Sequence, residues 1–210
     1  MAAVSIYVGG VMGAGKSLTM TYYAMRLAKR RKKPLYANFT VKGGHRLLAN
    51  GEWPQEEGAV IILDELLLLV AYDALPKSWL ADGLTMARKR RQTVFMGGQG
   101  HRPPFDRKFW GAIQEYWFLK SLPFFGGRLV WMRRANEPFV RQHGVRAPGA
   151  RFDFVVIPAS HFKNYDTNEI FMKPRELAER SKKQQREMRR EPSVKDFVID
   201  AMSDDGIAAD

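Results

Sequence analysis

Gly10-Val-Met-Gly-Ala-Gly15-Lys16-Ser17 sets glycines, a lysine and a hydroxyl at the spacing G-x-x-x-x-G-K-[ST] of a phosphate-binding loop. Glycines let successive backbone N–H groups curl around an anion, and a helix starting at the loop would aim the positive end of its dipole at the same point. The cradle is Gly10, Gly13, Ala14, Gly15, Lys16, Ser17 and Leu18. Lys16 can reach the β- and γ-phosphates of a nucleotide, and Ser17 can hold Mg²⁺. The alternative is a glycine-rich turn with its lysine in solvent. The apolar run Val4–Val8 before the loop and the helix-like Leu18–Ala28 after it argue for the cradle.

A hydrolytic site of this type needs a second element, an apolar strand that ends in acids. Val60-Ile-Ile-Leu-Asp64-Glu65 has that form. Asp64 would orient the metal's hydration shell, and Glu65 would polarise the attacking water. Gln99 follows the next apolar run, where its amide can bond a γ-phosphate or that water. Upstream lies Ala87-Arg88-Lys89-Arg90-Arg91. One guanidinium of this cluster could reach a neighbouring subunit's γ-phosphate and neutralise transition-state charge, leaving the others as a solvated or DNA-facing helix end.

The elements that must position these groups alternate between strand and helix patterns. A helix is expected from Lys16 to about Arg31, stopped by Pro34, with cations in its last turn against the negative dipole end. Strands are expected at Leu35–Phe39, Ala59–Leu63, Gln92–Met96, Glu115–Leu119, Arg128–Met132 and Phe152–Ile157, and a helix over Pro76–Arg91. Gly97-Gly98-Gln99 reads as the end of its strand. This is an α/β pattern with a central, mostly parallel sheet, spanning residues 1–172. From 173 to 210 the composition turns charged and helix-favouring, which reads as a mobile or partner-bound helical tail.

Composition narrows the classes. A chain of 210 residues with 45% apolar content suits one substantial core. No apolar run approaches the ~18 residues of a membrane span, and the start lacks the charged region of a signal peptide. With no cysteines there are no disulfides, thiolate zinc sites or cysteine nucleophile, and intracellular residence is expected. The net charge of +12 favours a polyanionic partner, nucleic acid first and anionic lipid second. Candidate DNA-facing segments join cations to aromatics: His101, Arg102, Phe105, Arg107, Lys108 and Trp110 in one, Trp131, Arg133 and Arg134 in another. Core packing is expected for Trp110, Trp117 and Trp131, with the flanking cations making the phosphate contacts.

These pieces in this order resemble the FtsK/HerA superfamily of DNA-translocating P-loop ATPases. Arg88, a short gap, the apolar strand and Gln99 are similar to its arginine-to-glutamine spacing, which singles out Arg88 as the finger acting in trans. Within it, Lys33-Pro-Leu-Tyr-Ala-Asn38, Gly58-Ala-Val-Ile-Ile-Leu-Asp-Glu65 and Phe162-Lys-Asn-Tyr-Asp-Thr-Asn-Glu169 resemble the zonula occludens toxin (Zot) domain of filamentous-phage assembly ATPases. The small genome-packaging ATPases of tailless, membrane-containing viruses share the superfamily and a similar length. The resemblance implies a three-layer P-loop NTPase fold of the RecA/FtsK type, with ATP and Mg²⁺ as ligands.

It also implies a homo-oligomeric ring of six subunits that translocates DNA and packages a viral genome into a preformed capsid. The partner would be a capsid vertex or membrane-associated portal protein, and the location the host cytoplasm or the virion vertex. Two departures stand out: Zot-type proteins carry a transmembrane helix after the ATPase domain, and Leu66–Val70 is unusually apolar. Two other functions fit the same residues. One is export of a filamentous phage; the other is a nucleotide-binding scaffold or regulator without motor activity. A small-molecule kinase fits less well with the spacing of Arg88 and Gln99.

Overall fold

The computed structural model describes residues 4–47, 53–66, 77–100, 111–136 and 150–165. Its strands are β1 (Val4–Gly10), β2 (Leu35–Ala37), β3 (His45–Arg46), β4 (Val60–Leu63), β5 (Thr93–Gln99), β6 (Glu115–Phe124), β7 (Gly127–Asn136) and β8 (Arg151–Pro158). The helices are α1 (Lys16–Arg31) and α2 (Lys77–Lys89), and a 3₁₀ turn covers Ala159–Asn164. The strands form one sheet in the order β3-β2-β4-β5-β1-β6-β7-β8. Pairing is parallel from β3 to β6 and antiparallel from β6 through β7 to β8.

The helices lie on opposite faces, as strand alternation requires. Val60 and Ile62 of β4, Ile6 and Val8 of β1 and Phe95 of β5 face Leu18, Met20 and Ala24 of α1. Ile61, Leu63, Tyr7, Val94 and Met96 face Leu80, Leu84 and Ala87 of α2. Strands covered on both faces read as unbroken apolar runs, which is why β4 and β5 were legible. The chain is therefore a three-layer α/β P-loop fold with a mostly parallel sheet. Among the described residues no helix is long and apolar enough to cross a membrane.

Several expectations need correction. The strand after α2 does not stop before Gly97 but runs on through Gln99. Its glycines answer to crowding rather than to a turn: a Cβ on Gly98 would sit 2.6 Å from the Tyr7 hydroxyl, and one on Gly97 would collide with Asp64 and Met20. β2 is shorter than expected, and the hairpin strands β6 and β7 are each ten residues long. Trp117 packs in the core as expected, whereas Trp131 is only half-buried, on the open face of the hairpin beside Lys120, Arg133 and Phe152. The segment 101–110, residues 67–70 and the tail from 173 lie outside the described residues; Leu66 is buried against the α2 side of the sheet.

One tight contact locks α2 to the sheet. Trp53 lies on Gly83 in the middle of α2, and its Nε1 donates to Gln92 Oε1 at 2.8 Å. Gln92 Nε2 donates in turn to the Pro54 and Glu56 carbonyls, both at 2.9 Å. A Cβ at residue 83 would land inside the indole ring. Gly83→Ala would gain about 1 kcal/mol of helix propensity but lose about 1–3 kcal/mol to overpacking. The expected result is a thermal midpoint several degrees lower, read by circular dichroism; an unchanged or higher midpoint would mean that the indole can move aside.

Candidate nucleotide-binding site

β1 delivers the chain to Gly10 and α1 begins at Lys16, so the phosphate loop sits at the strand's carboxyl end beneath the helix N-terminus. Gly13 and Gly15 take φ of 76° and 80°, the left-handed region that a side chain would oppose. These two residues curl the loop, and Ala14 N–H closes it by donating to the Val11 carbonyl at 3.1 Å. Lys16 is buried, and its Nζ donates to the carbonyls of Val11 at 3.2 Å and Gly10 at 3.4 Å. Its ammonium is thus held on the loop's own oxygens, which phosphate oxygens can replace.

The acid pair follows β4 directly. Asp64 is fully buried, with Ser17 as a side-chain hydrogen-bond partner and Lys16 within its field. Asn38, just past β2, fixes its backbone from both sides: Asp64 N–H donates to Asn38 Oδ1 at 2.8 Å, and Asn38 Nδ2 donates to the Asp64 carbonyl at 3.0 Å. Asp64 Oδ1 accepts from the Glu65 N–H at 2.9 Å, while Oδ2 is buried without a partner. Burial pushes the Asp64 carboxyl up to about 6; Ser17 and Lys16 pull it down and Glu65 pushes it up.

A buried carboxyl oxygen without a partner, beside a hydroxyl and next to a phosphate-loop lysine, fits a hydrated divalent cation. Ser17 and Asp64 would hold Mg²⁺, which when bound neutralises charge on the β- and γ-phosphates. Glu65 adopts φ 49°, a conformation costly for a residue with a Cβ, and its Oε2 is buried without a partner. Its charge acts on Tyr7, whose hydroxyl is held protonated well above the usual phenol range, first by burial and then by Glu65. The strain and the unpartnered oxygen fit a carboxylate kept for an external partner, such as a water molecule.

Sheet order accounts for Gln99. β5 lies between β1, which carries the phosphate loop, and β4, which ends at the acids. Gln99 is the last residue of β5, exposed and in register with Gly10, so it emerges between the two halves of the site. Arg88 is placed differently. It lies in the last turn of α2, exposed, and joins the Thr93 end of β5. That end is roughly 20 Å of strand from the phosphate loop, so Arg88 does not serve its own chain's loop and is open to another copy.

Four further residues converge on the site. Asn38 positions Asp64 as described. Ser121 of β6 donates to the Gly13 carbonyl at 3.3 Å, and Arg128 of β7 donates from Nη1 to the same carbonyl at 3.0 Å and to Ser121 Oγ at 3.2 Å. The hairpin therefore clasps the outer turn of the phosphate loop. Tyr165 bridges to Val41, and its phenol is pushed up to about 12 by burial and by Asp64, with Arg128 opposing. Of these, Asn38 and Tyr165 fall within stretches that resemble Zot domains; long-range pairing alone reveals Ser121 and Arg128.

Of the expected DNA-facing cations, Arg134 is committed elsewhere. Its guanidinium lies over Trp117 at 4.3 Å and pairs with Asp153 at 3.3 Å. Arg133 is exposed, and the 101–110 cations lie outside the described residues.

Fold and site together define a P-loop NTPase architecture. No protein-family pattern and no curated protein matches the sequence. Among solved structures the chain is similar to the N-terminal domain of zonular occludens toxin from Neisseria meningitidis, at 16% identity and a TM-score of 0.51, covering 79% of this chain and 100% of that one. Matches with lower scores are a KaiC-like protein from Pyrococcus horikoshii (8% identity, 74% and 89% covered, TM-score 0.46) and the flagellar accessory protein FlaH from Methanocaldococcus jannaschii (9%, 63% and 78%, 0.41). The chain thus has a Zot-like P-loop fold.

Two outcomes test the site. The raised Asp64 value means that in the metal-free fold the carboxyl holds its proton up to about pH 6, whereas the unfolded chain has already lost it near the ordinary value of 3.8. Metal-free stability therefore falls between these values as pH rises. Mg²⁺ binding must expel that proton, so Mg²⁺–nucleotide affinity should drop about tenfold per unit below pH 6 and level off above it. Calorimetric titration across pH checks this; Asp64→Asn should remove the slope, and a slope that survives would assign it to another group. For the clasp, Arg128→Ala should weaken ADP binding about fivefold, the worth of ~1 kcal/mol, with Arg128→Lys in between. Equal affinity in all three proteins would show that the clasp does not preorganise the loop.

Proposed function

We propose that this chain is a Mg²⁺-dependent ATPase that couples hydrolysis to the movement of DNA, working in a ring of identical copies. The observation that carries the hydrolytic part is the buried Asp64 carboxyl, with one oxygen unpartnered, set against Ser17 and Lys16 of the phosphate loop. Glu65 acts as the base toward water, Gln99 reports the γ-phosphate to the sheet, and Lys16 follows the charge as the bond to the leaving phosphate breaks. The ring is supported by the position of Arg88, exposed in the last turn of α2 at the opposite end of the strands from its own loop. It is further supported by apolar side chains left open around that loop, Val11, Met12, Leu122 and Phe125. The DNA part rests on the net charge of +12 and on the resemblance to translocating ATPases.

The cargo on this reading is a viral genome drawn into a preformed capsid, with a capsid vertex or membrane-associated portal protein as partner, in the host cytoplasm or at the virion vertex. A second reading is favoured by the likeness to the zonular occludens toxin domain over its whole length: assembly and export of a filamentous phage, with the same motor.

The deciding measurement is ATP turnover at several protein concentrations, with and without single- or double-stranded DNA. Turnover per chain should rise with concentration and with DNA. Glu65→Gln should cut kcat by 10²-fold or more while leaving ATP affinity intact, and Arg88→Ala should abolish the dependence on concentration. Nucleotide binding without DNA-stimulated turnover would replace the motor with a scaffold or regulator. An Arg88→Ala protein that hydrolyses ATP normally as a monomer would remove the finger.

A further inference from the structure

At the far end of α1 the fold forms an open concavity of about 520 Å³, within the range of pockets that bind small ligands. It lies between the last turns of α1, the turn at Lys42-Gly43 and the 3₁₀ turn after β8. Its cations begin at Arg26, roughly 15 Å along the helix axis from Lys16, so it is not an extension of the phosphate loop. Arg26, Lys29, Lys32, Lys33 and Lys42 line it, and among the described residues no carboxylate does.

A basic helix end by itself is ordinary, since cations suit the negative pole of the dipole. That accounts for Lys29 but not for Lys42, which a different element brings to the same concavity. Nor does the half charge at a helix terminus balance five cations around one space. The wall is also built rather than incidental. Lys42 N–H donates to the Asn164 carbonyl at 2.7 Å, and Val41 bridges to Tyr165, so the turn is fixed to the 3₁₀ segment. Arg26 is held over the Tyr22 ring, 5.2 Å from its centroid, and donates to the Tyr22 hydroxyl.

His161 forms the inner wall. It lines the cavity, is only 8% exposed, and meets the Tyr22 ring edge-on at 5.3 Å. Its Nδ1 lies 3.0 Å from Asn164 Nδ2. An amide nitrogen can only donate, so Nδ1 accepts and the imidazole proton resides on Nε2. Burial lowers the His161 pKa, which keeps the ring neutral and Nε2 its one donor. That Nε2 is buried without a partner. The ring therefore belongs to the wall through its Tyr22 and Asn164 contacts, and contacts to an anion fall to the surrounding cations.

We propose that this cavity is a second anion site that takes consecutive phosphates, supplied either by a nucleic-acid backbone or by a free polyphosphate. Several charges must enter a small volume to match five cations, and a phosphate chain is the ligand class with that charge density. The site does not depend on hydrolysis at the phosphate loop, so its test uses the full-length chain carrying Lys16→Ala, in which the loop's own anion binding is disabled.

In that background, tripolyphosphate binding is measured by calorimetry and binding of a labelled single-stranded oligonucleotide by anisotropy, both across a range of salt. Combined Lys29→Ala, Lys32→Ala and Lys42→Ala should weaken tripolyphosphate at least tenfold, compared with combined Arg30→Ala, Lys120→Ala and Arg151→Ala, which removes the same charge from exposed positions outside the cavity. If the natural source is nucleic acid, oligonucleotide affinity falls as well, and the slope of log K against log salt becomes shallower by about 2, three phosphates at ~0.7 each. If tripolyphosphate alone responds, the site serves a free polyphosphate. The proposal is overturned if the triple variant binds both ligands as tightly as the control does.

Discussion

The site depends on how close one buried carboxyl can come to the start of one helix. Asp64 must lie against Ser17 and Lys16, and that contact requires three backbones to converge where side chains would normally hold them apart. Gly97 on the adjacent strand supplies the space, since a Cβ there would collide with both Asp64 and Met20 of α1. Asn38 supplies the constraint, clamping the Asp64 backbone with two hydrogen bonds from the other neighbouring strand. Burial then makes the charged carboxylate costly, so the group is poised to ionise when a cation arrives.

The antiparallel extension of the sheet has a different task. Strands β6 to β8 feed Trp117, Leu119, Val130, Met132 and Ile157 into the core under α1, and their hairpin folds back over the phosphate loop and grips the Gly13 carbonyl through Ser121 and Arg128. One face of the same strands packs on α1 through Val130, Met132 and Ile157. The other presents Phe152, Phe154 and Val156 to solvent beside Trp131. A sheet that is covered on one side and open on the other leaves an apolar face beside the clasp.

Local chemistry carried much of this into the sequence. The glycine-lysine-serine loop, the acids after an apolar run and the helix bounded by Pro34 are each short-range patterns, and short-range patterns survive in one dimension. Gly97-Gly98-Gln99 was legible as the end of its strand, but a glycine signals either a turn or a close approach, and only the neighbour in space shows that here it is crowding by Asp64, Met20 and Tyr7. Arg134 looked available because its partners, Trp117 and Asp153, come from two other strands. Trp131 looked like core because its hydrophobicity is visible in sequence and the open face of its sheet is not.

By itself the sequence determined that a glycine-rich loop before a helix, an acid pair after an apolar strand and a parallel α/β core belong to this chain, because each follows from residue type and spacing over a few positions. Tertiary structure decided the rest. It placed β5 between the loop strand and the acid strand, brought Arg128 to the loop, turned Arg88 away from it, and gathered Lys42 and His161 at the far end of α1. The physical reason is that strand order and hairpin register are set by packing between segments far apart in the chain, and no local pattern records them.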